Sequence, residues 1–273
     1  MQDKGVYGNW TDFLKFPITG RSVKPRKAGL TMVIDKGLGL TETRELLEMA
    51  SDYIDLIKLG FGTSALYSIP LLRKKIELVR SHNVDIYPGG TFLEVAVLQG
   101  RLKEYLKFCR ELGYSAVEVS DGTINMKPEE RKDAIRRAAD MGFIVLSEVG
   151  KKDVRDQLEA ERLSRLIEED LLNGAFKVIV EGRESGRGVV LYDSKGNIKE
   201  EVINTLQFKV RDLSSIIWEA PLKSQQQEFI TRFGPNVNLG NIKPDEVMAL
   251  EALRVGLRGD TLRLCLERYD KRS

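Results

Sequence analysis

The feature that most constrains the fold is an eightfold alternation of short apolar runs with longer amphipathic ones. The short runs are rich in β-branched residues and predict strands at residues 30–35, 54–59, 84–87, 116–120, 143–149, 176–181, 215–219 and 236–239. After each of them, a period of about 3.6 residues predicts helices at 41–51, 68–82, 92–112, 128–141, 154–173, 198–210, 222–233 and 244–257. Strands that alternate with helices form a parallel sheet.

Closure of that sheet explains eight such units most economically. The predicted fold class is therefore α/β, a single-domain (β/α)8 TIM barrel, and the 273 residues suit one such domain. An open, doubly wound sheet is the alternative that the pattern leaves open. The sequence has no GxGxxG that opens a helix after the first strand and no GxxxxGK[ST] loop, which disfavours a nucleotide-binding sheet. We expect residues 1–28 to form an N-terminal arm and residues 29–273 the catalytic barrel.

The charge balance disfavours two classes of partner. Lys and Arg number 43 against 41 Asp and Glu, without the basic excess of proteins that bind nucleic acid or membrane surfaces. We expect neither partner, since no apolar run approaches the roughly 20 residues that span a bilayer. The polar start at residues 1–10 does not resemble a signal peptide, which predicts a cytoplasmic protein. Cys109 and Cys265 lack metal-ligand spacing and are expected to be free, buried thiols.

An additional segment, residues 184–198, follows the sixth predicted strand. Within it, the residues from Asp193 to Asn197 read Asp-Ser-Lys-Gly-Asn, a sequence typical of the turn of a small hairpin. A loop of this length after a barrel strand is either a lid over the catalytic end or a surface excursion. The sequence does not decide between the two.

Charged residues gather where the predicted strands end, and in TIM barrels the C-terminal ends of the strands build the active site. Several carboxylates at one rim repel each other unless cations lie among them. Because no His or Cys accompanies these acids, a hard ion such as Mg2+ is the expected metal. Any one of the acids, taken alone, can instead be a salt-bridged rim residue. The acids at these ends are Glu118, Glu148, Glu181 and Glu219, with Asp35 and Asp121 nearby.

Basic residues and glycines lie at the same ends. Lys36, Lys58, Lys151 and Arg183 are expected to bring anions to the metal ion. Lys152 is the weaker candidate of its pair, because successive residues that leave a strand point in opposite directions. Gly89 and Gly90 either make a tight turn or present backbone N–H groups to phosphate-like oxygens. His82, the only histidine, precedes a strand, which argues against a His-based triad and His-ligated zinc.

Taken together, these strand-end strings resemble the phosphosulfolactate synthase family over residues 30–262. No single string is diagnostic, whereas the set in this order is specific. The strings are Asp35-Lys36-Gly37, Lys58-Leu59-Gly60-Phe61-Gly62-Thr63, Tyr87-Pro88-Gly89-Gly90-Thr91, Ser120-Asp121-Gly122, Ser147-Glu148-Val149-Gly150-Lys151-Lys152, Val180-Glu181-Gly182-Arg183-Glu184-Ser185-Gly186, Trp218-Glu219-Ala220-Pro221, Val237-Asn238-Leu239 and Gly256-Leu257-Arg258-Gly259-Asp260-Thr261.

The resemblance implies a (β/α)8 barrel that adds sulfite to phosphoenolpyruvate in a Mg2+-dependent reaction. The product, (2R)-phospho-3-sulfolactate, leads to coenzyme M in methane-forming archaea and to sulfolactate in some bacteria. It also implies a homo-oligomer, with a trimer as our expectation. The residues suit such chemistry, because attack of sulfur on the methylene carbon sends electrons into the carboxylate as an ene-diolate, which a metal ion stabilises.

The following roles are expected. Lys151 is the general acid that protonates the carbon bearing the phosphate. Arg183 clamps the phosphate, and Lys36 and Lys58 hold sulfite or the substrate carboxylate. Gly90 and Asn238 are further substrate contacts from the third and eighth strand ends. The expected Mg2+ ligands are Glu148 and Glu181, with Asp35 and Asp121 behind them.

Two other functions remain open at this point. One is a lysine Schiff-base aldolase, for which Lys58 or Lys151 would supply the amine, since Lys177 lies at the start of its strand. The other is a non-catalytic barrel that acts as a stress-associated interaction protein, as plant relatives of this family suggest. A shared fold does not by itself confer the activity.

Overall fold

A computed structural model describes residues 9–153, 155 and 158–270. The first eight residues of the predicted arm and part of the predicted helix 154–173 therefore lie outside the described residues. The strands are β1 Thr31–Asp35, β2 Leu56–Leu59, β3 Asp85–Pro88, β4 Ala116–Ser120, β5 Ile144–Val149, β6 Lys177–Val180, β7 Ile216–Glu219 and β8 Leu239–Ile242. The helices are α1 Leu40–Ala50, α2 Ile69–Ser81, α3 Gly90–Leu98, α4 Leu102–Leu112, α5 Pro128–Asp140, α6 Ala160–Leu172, α7 Glu200–Lys209, α8 Lys223–Phe233, α9 Val247–Arg254 and α10 Gly259–Asp270.

The eight strands form one parallel sheet in the order β3-β2-β1-β8-β7-β6-β5-β4. The two ends of this order meet, because Ser115 N donates to Ile86 O at 3.3 Å and Ile86 N donates to Ser115 Oγ at 3.1 Å. The sheet is therefore a nearly closed barrel with helices around it, which confirms the predicted single-domain (β/α)8 fold.

The two-residue period of the strands sorts side chains into layers inside the barrel. The lower inner layer is apolar and contains Met32, Leu56, Tyr87, Ala116, Leu146, Ile179 and Ile217. Two residues further along five of these strands, the layer above carries ionisable side chains, all buried: Lys58, Glu118, Glu148, Glu181 and Glu219. The same two-residue period therefore points both the apolar layer and the charged layer above it into the barrel.

Two predicted helices are divided in the structure. The pattern at 92–112 becomes α3 and α4, and the chain turns between them at Gly100, whose φ of +66° suits glycine. The pattern at 244–257 becomes a 3₁₀ turn, Pro244–Glu246, followed by α9. The last helix, α10, was not predicted.

The additional segment after β6 is neither a simple lid nor a surface excursion. Its turn is the predicted one, with Asp193 Oδ1 accepting hydrogen bonds from the backbone N–H groups of Lys195 and Asn197 at 2.8 and 2.9 Å. Its apolar residues belong to the core, since Leu191 and Tyr192 are fully buried. The Tyr192 hydroxyl donates to Glu219 O at the end of β7, which anchors the segment to the barrel. Among the described residues, no helix is long and apolar enough to cross a membrane.

The predicted bounds of the eighth strand were wrong, and this moves Asn238. The strand begins at Leu239, so Asn238 lies at the N-terminal end of the barrel, away from the end where the strands terminate. Its Oδ1 accepts from Leu30 N at 2.9 Å, and its Nδ2 donates to Ser214 O and Ile216 O at 2.7 and 2.8 Å. The predicted substrate contact is therefore corrected: the side chain connects the starts of β1, β7 and β8.

Replacing Asn238 with Ala should consequently lower stability and leave catalysis intact. Two buried backbone groups, Leu30 N and Ile216 O, would lose this partner at a cost of about 2–4 kcal/mol, whereas Ser214 O keeps its hydrogen bond from Lys177 Nζ at 2.6 Å. That corresponds to a fall in Tm of roughly 5–10 °C. Thermal unfolding together with steady-state kinetics on the folded variant tests this. An unchanged Tm with a raised KM would instead return Asn238 to the substrate site.

Candidate active site

A cavity of about 530 Å³ opens at the C-terminal ends of the strands. Every strand, or the loop that follows it, contributes at least one lining residue, from Ile34 in β1 to Asn241 in β8. We call this space the mouth cavity. A second cavity of similar size lies at the opposite end, beneath the N-terminal arm, where Arg26 pairs with Asp55 and Arg80 with Asp85. Active sites of TIM barrels lie at the mouth, so the mouth cavity is the candidate site.

Lys58 is the electrostatic centre of the mouth cavity. Its Nζ lies 3.0 Å from Glu118 Oε2, 3.1 Å from Glu148 Oε2 and 3.3 Å from Glu219 Oε1. Burial lowers the pKa of this ammonium, but the three carboxylates outweigh burial, so its pKa lies well above its ordinary value. Lys58 is therefore a permanent cation that holds side chains from three other strands.

The carboxyl groups around Lys58 differ in acidity. Burial raises the pKa of Glu118 to about 7 despite the attraction of Lys58, with Glu148 and Glu219 adding to the rise. Burial also acts on Glu148, but Lys58 and then Lys152 outweigh it and lower its pKa to about 2. Glu181 has a pKa well above its ordinary value because of burial and the neighbouring Glu148 and Glu219. The site thus combines one readily ionised acid, Glu148, with two acids that retain a proton more easily, Glu118 and Glu181.

Three of these acids form a group that can hold a metal ion. One carboxylate oxygen from each of Glu148, Glu181 and Glu219 lies within 4.8 Å of the others. We call these three residues the carboxylate cluster. Glu148 Oε1 and Glu181 Oε2 are buried without a hydrogen-bond donor from the described part of the protein. Buried carboxylate oxygens that lack a hydrogen-bond donor fit a hard divalent cation such as Mg2+.

The remaining carboxylate oxygens are held by backbone N–H groups at the strand ends. Glu118 Oε1 accepts from Gly90 N at 2.6 Å, Glu219 Oε2 from Gly182 N at 2.9 Å, and Glu181 Oε1 from Arg183 N at 2.7 Å. Gly90, predicted as a substrate contact, lines the cavity, but its N–H serves Glu118. A side chain at this position would place its Cβ 2.5 Å from Glu118 Oε1. Only glycine therefore fits here.

The two adjacent lysines after β5 point to different places. Lys152 lines the mouth cavity, where its Nζ donates to Thr91 Oγ1 at 2.8 Å and lies 3.7 Å from Glu148 Oε1. Lys151, the predicted acid, donates to Asp121 O at 2.6 Å, Ile124 O at 2.8 Å and Asn125 Oδ1 at 3.1 Å. It thus holds the loop after β4 and is not among the residues that line the cavity.

The two other predicted anion-binding residues, Arg183 and Lys36, are more exposed than Lys58. Arg183 lines the cavity and is exposed, with a left-handed φ of 57°. Lys36 pairs with Glu184, and both side chains are almost half exposed. This pair connects the loops after β1 and β6 at the edge of the mouth. Arg183 is thus placed to meet an anion in the cavity, whereas Lys36 lies outside the lining.

Asp35 and Asp121, the further predicted metal ligands, lie outside the carboxylate cluster. Asp35 Oδ1 accepts from the backbone N–H groups of Gly37 and Leu38 at 2.7 and 2.8 Å, and Oδ2 lies 2.6 Å from Lys75 Nζ. Asp121 Oδ1 lies 3.0 Å from Arg131 Nη1. Both carboxylates fix loops and helices around the mouth, so we leave them out of the metal site.

Replacing Lys58 with Met should strongly destabilise the protein. Removing one partner of a buried ion pair costs about 3–5 kcal/mol, because the carboxylates remain buried and uncompensated. The pKa of Glu118, which burial already raises to about 7 against the attraction of Lys58, would then rise further above that of the unfolded chain, so the folded state would bind more protons and stability would fall as pH rises. Urea unfolding at pH 5 and pH 8 with a chelator should therefore show the larger loss at pH 8.

The matched control is Lys132→Met, which removes a surface ammonium 3.0 Å from the exposed Glu129. A pair of this kind contributes at most about 1 kcal/mol, and the loss should not depend on pH in this way. Wild-type stability of Lys58→Met at pH 8 would contradict the central role of Lys58.

The sequence is similar to known proteins over nearly its whole length. A family model described as (2R)-phospho-3-sulfolactate synthase matches residues 19–260. The phosphosulfolactate synthase of Methanothermobacter thermautotrophicus is 49% identical over 256 residues, which cover 93% of this chain and 98% of that protein. The phosphosulfolactate synthase of Methanocaldococcus jannaschii is 48% identical over 235 residues, covering 85% and 93%.

Solved structures of other enzymes share the architecture. The YdjI aldolase from Escherichia coli K12 superposes with a TM-score of 0.54 at 12% identity, covering 89% of this chain and 91% of that one. This likeness shows the barrel fold alone. The family model and the two synthases, by contrast, extend over nearly the whole chain. The chain therefore belongs to the (2R)-phospho-3-sulfolactate synthase family.

Proposed function

We propose that this protein adds sulfite to phosphoenolpyruvate with Mg2+ as cofactor, giving (2R)-phospho-3-sulfolactate. The observation that carries the proposal is the convergence of the carboxylate cluster with Lys58 and Lys152 in one cavity, in a chain that is 49% identical to a phosphosulfolactate synthase. Both reactants are anions. The site must therefore bring together two molecules that repel each other.

The charges of the cavity suit that task. Two like charges about 4 Å apart near a protein surface repel by roughly 4 kcal/mol. Among the described residues, four buried carboxyl groups of the mouth cavity lie near two ammonium groups, Lys58 and Lys152, so full ionisation of all six would leave two negative charges in excess. The difference equals the charge of one divalent cation. Glu148, Glu181 and Glu219 would hold Mg2+, which when bound would stabilise the negative charge that develops on the substrate carboxylate.

The chain's own residues would then position the reactants. Arg183, at the rim, offers a planar fork of donors suited to the phosphate. Thr91 and Gly90, at the start of α3, also line the cavity. Attack of the sulfur lone pair forms a C–S bond at the methylene carbon, and the displaced π electrons leave negative charge on the adjacent carbon and carboxylate. That carbon must finally accept a proton.

Lys152 is our choice for the donor of this proton. Its ammonium lies in the cavity, whereas Lys151 Nζ is engaged by loop carbonyls. Burial lowers the pKa of Lys152, but Glu148 and Glu181 outweigh burial and raise it above the ordinary value, so Nζ carries its proton at neutral pH. A proton delivered from one fixed atom reaches one face of the carbon, as a single product stereoisomer requires.

Activity should require a divalent cation bound to the carboxylate cluster. Phosphoenolpyruvate and sulfite with Mg2+ should give a product that contains a C–S bond, detectable by NMR and mass spectrometry, and EDTA should abolish its formation. Glu181→Gln keeps the shape but removes a ligand charge, so Mg2+ affinity should fall 10- to 100-fold. Isothermal titration of Mg2+ measures this independently of turnover.

Glu129→Gln, which changes an exposed surface acid, is the matched control and should bind Mg2+ as the wild type does. Undiminished turnover in EDTA would remove Mg2+ from the proposal. Failure of the wild-type chain to form the C–S bond under all conditions would refute the proposed function itself.

Comparing Lys152→Ala with Lys151→Ala should identify the acid. Loss of a general acid lowers kcat by about 100- to 10,000-fold. We expect this for Lys152→Ala, with phosphoenolpyruvate binding retained. Lys151→Ala should mainly raise KM, because Lys151 holds the loop that carries the cavity residue Thr123. The reverse outcome, with Lys152→Ala nearly as active as the wild type, would restore Lys151 as the acid.

A further inference from the structure

Strand β8 contains an irregularity that changes the direction of one side chain. In its pairing with β1, Thr31 lies opposite Leu239 and Val33 opposite Ile242, so three steps along β8 match two steps along β1. β8 therefore carries one extra residue, a β-bulge. Bulges often occur at barrel rims and beside active sites, where they redirect a side chain.

Asn241 lies in this bulge and has a left-handed backbone, with φ of 55°. Asn adopts this conformation more readily than other non-glycine residues, but it remains unfavourable relative to a regular strand. Phe61 and Arg183 also have positive φ and line the mouth cavity with Asn241. Backbone strain of this kind gathers at sites where a ligand binds.

The Asn241 side chain is buried and incompletely hydrogen-bonded. It is only 4% exposed, it lines the mouth cavity, and its Oδ1 has no hydrogen-bond partner in the part of the chain that the structure describes. An unpaired buried polar atom opposes folding. Asn238, three residues earlier and equally buried, uses Oδ1 and Nδ2 in three hydrogen bonds to the backbone. The contrast indicates that Asn241 serves something other than the fold.

The position of Asn241 indicates what its side chain can bind. The preceding residue, Gly240, pairs with Glu219 of the carboxylate cluster across the sheet. Asn241 is therefore the next residue of β8 after the one that lies beside the proposed metal site. A carboxamide offers two N–H donors and one acceptor, and rotation about its terminal bond exchanges them within the same volume. Facing an anion, the N–H side makes the favourable hydrogen bond. Because the carboxamide is neutral, it can orient a ligand through a hydrogen bond without adding a further charge to the site.

We propose that Asn241 is a substrate-binding residue whose carboxamide donates a hydrogen bond to an oxygen of phosphoenolpyruvate beside the carboxylate cluster. This rests on the proposed function and adds a neutral, orienting donor to it. The bulge in β8 supplies the necessary direction of the side chain. No other residue of β8 lines the mouth cavity among those that the structure describes.

Asn241→Gly is the decisive variant, because glycine accepts φ of 55° without strain and only the carboxamide is lost. We expect KM and Kd for phosphoenolpyruvate to rise about 10- to 100-fold, as for a lost hydrogen bond to a charged group. The Tm without ligand should equal or exceed that of the wild type. Asn241→Asp keeps the volume but removes the donor and adds a negative charge, so its loss of affinity should be at least as large.

The matched control is Asn83→Gly, since Asn83 has the same φ of 55° but lies at the opposite end of the barrel. Its KM should equal that of the wild type. Steady-state kinetics at saturating sulfite and Mg2+, with isothermal titration of phosphoenolpyruvate, supply the readouts.

Wild-type KM and Kd in Asn241→Gly would overturn this inference alone, as would a lowered Tm with unchanged KM. A wild-type chain that neither binds nor consumes phosphoenolpyruvate would overturn the proposed function, and this inference with it. A raised KM in both Asn241 variants, with Asn83→Gly unchanged, would support it.

Discussion

The mouth of this barrel depends on one buried ammonium group. Lys58 on β2 contacts acids on β4, β5 and β7, none of which is a hydrogen-bonded neighbour of β2 in the sheet. Beneath it lies an apolar layer that keeps water out of the barrel interior. In such surroundings charge interactions are stronger than in water, and an unpaired charge is correspondingly costly. The ammonium therefore connects strands across the barrel while it makes a concentration of carboxylates tolerable.

The charged layer could be predicted from the sequence because it follows the strand period. Leu146 and Glu148 on β5, like Ile217 and Glu219 on β7, lie two residues apart and hence on the same side of their strands. An apolar run that ends on an acid therefore places the acid directly above the apolar layer. The meeting of the acids at one end follows from that regularity and from parallel pairing, whereas closure of the sheet does not follow from the period alone.

The residues whose roles the sequence did not predict lie where the two-residue period of the strands ends or is interrupted. The two-residue alternation that places Glu148 inside the barrel, continued through Gly150, also places Lys152 on the inner side. Applied past the end of the strand, it would have favoured Lys152 over Lys151. Asn241 gave no such signal, because a bulge depends on how two distant strands pair. Asp35 and Asp121 have partners on helices, Lys75 and Arg131, and tertiary pairing of that kind cannot be inferred from strand ends.

The division between fold and site also explains why barrels of similar shape serve different chemistry. The YdjI aldolase shares the architecture at 12% identity. The mouth of this chain contains a layer of inward-facing ionisable side chains above the apolar layer, together with three residues of positive φ, Phe61, Arg183 and Asn241, around the cavity. Regular strands below supply the stability that permits unfavourable conformations above them. The proposed site therefore combines charged side chains that follow the strand period, such as Lys58 and Glu148, with Arg183 and Asn241, whose backbone departs from it.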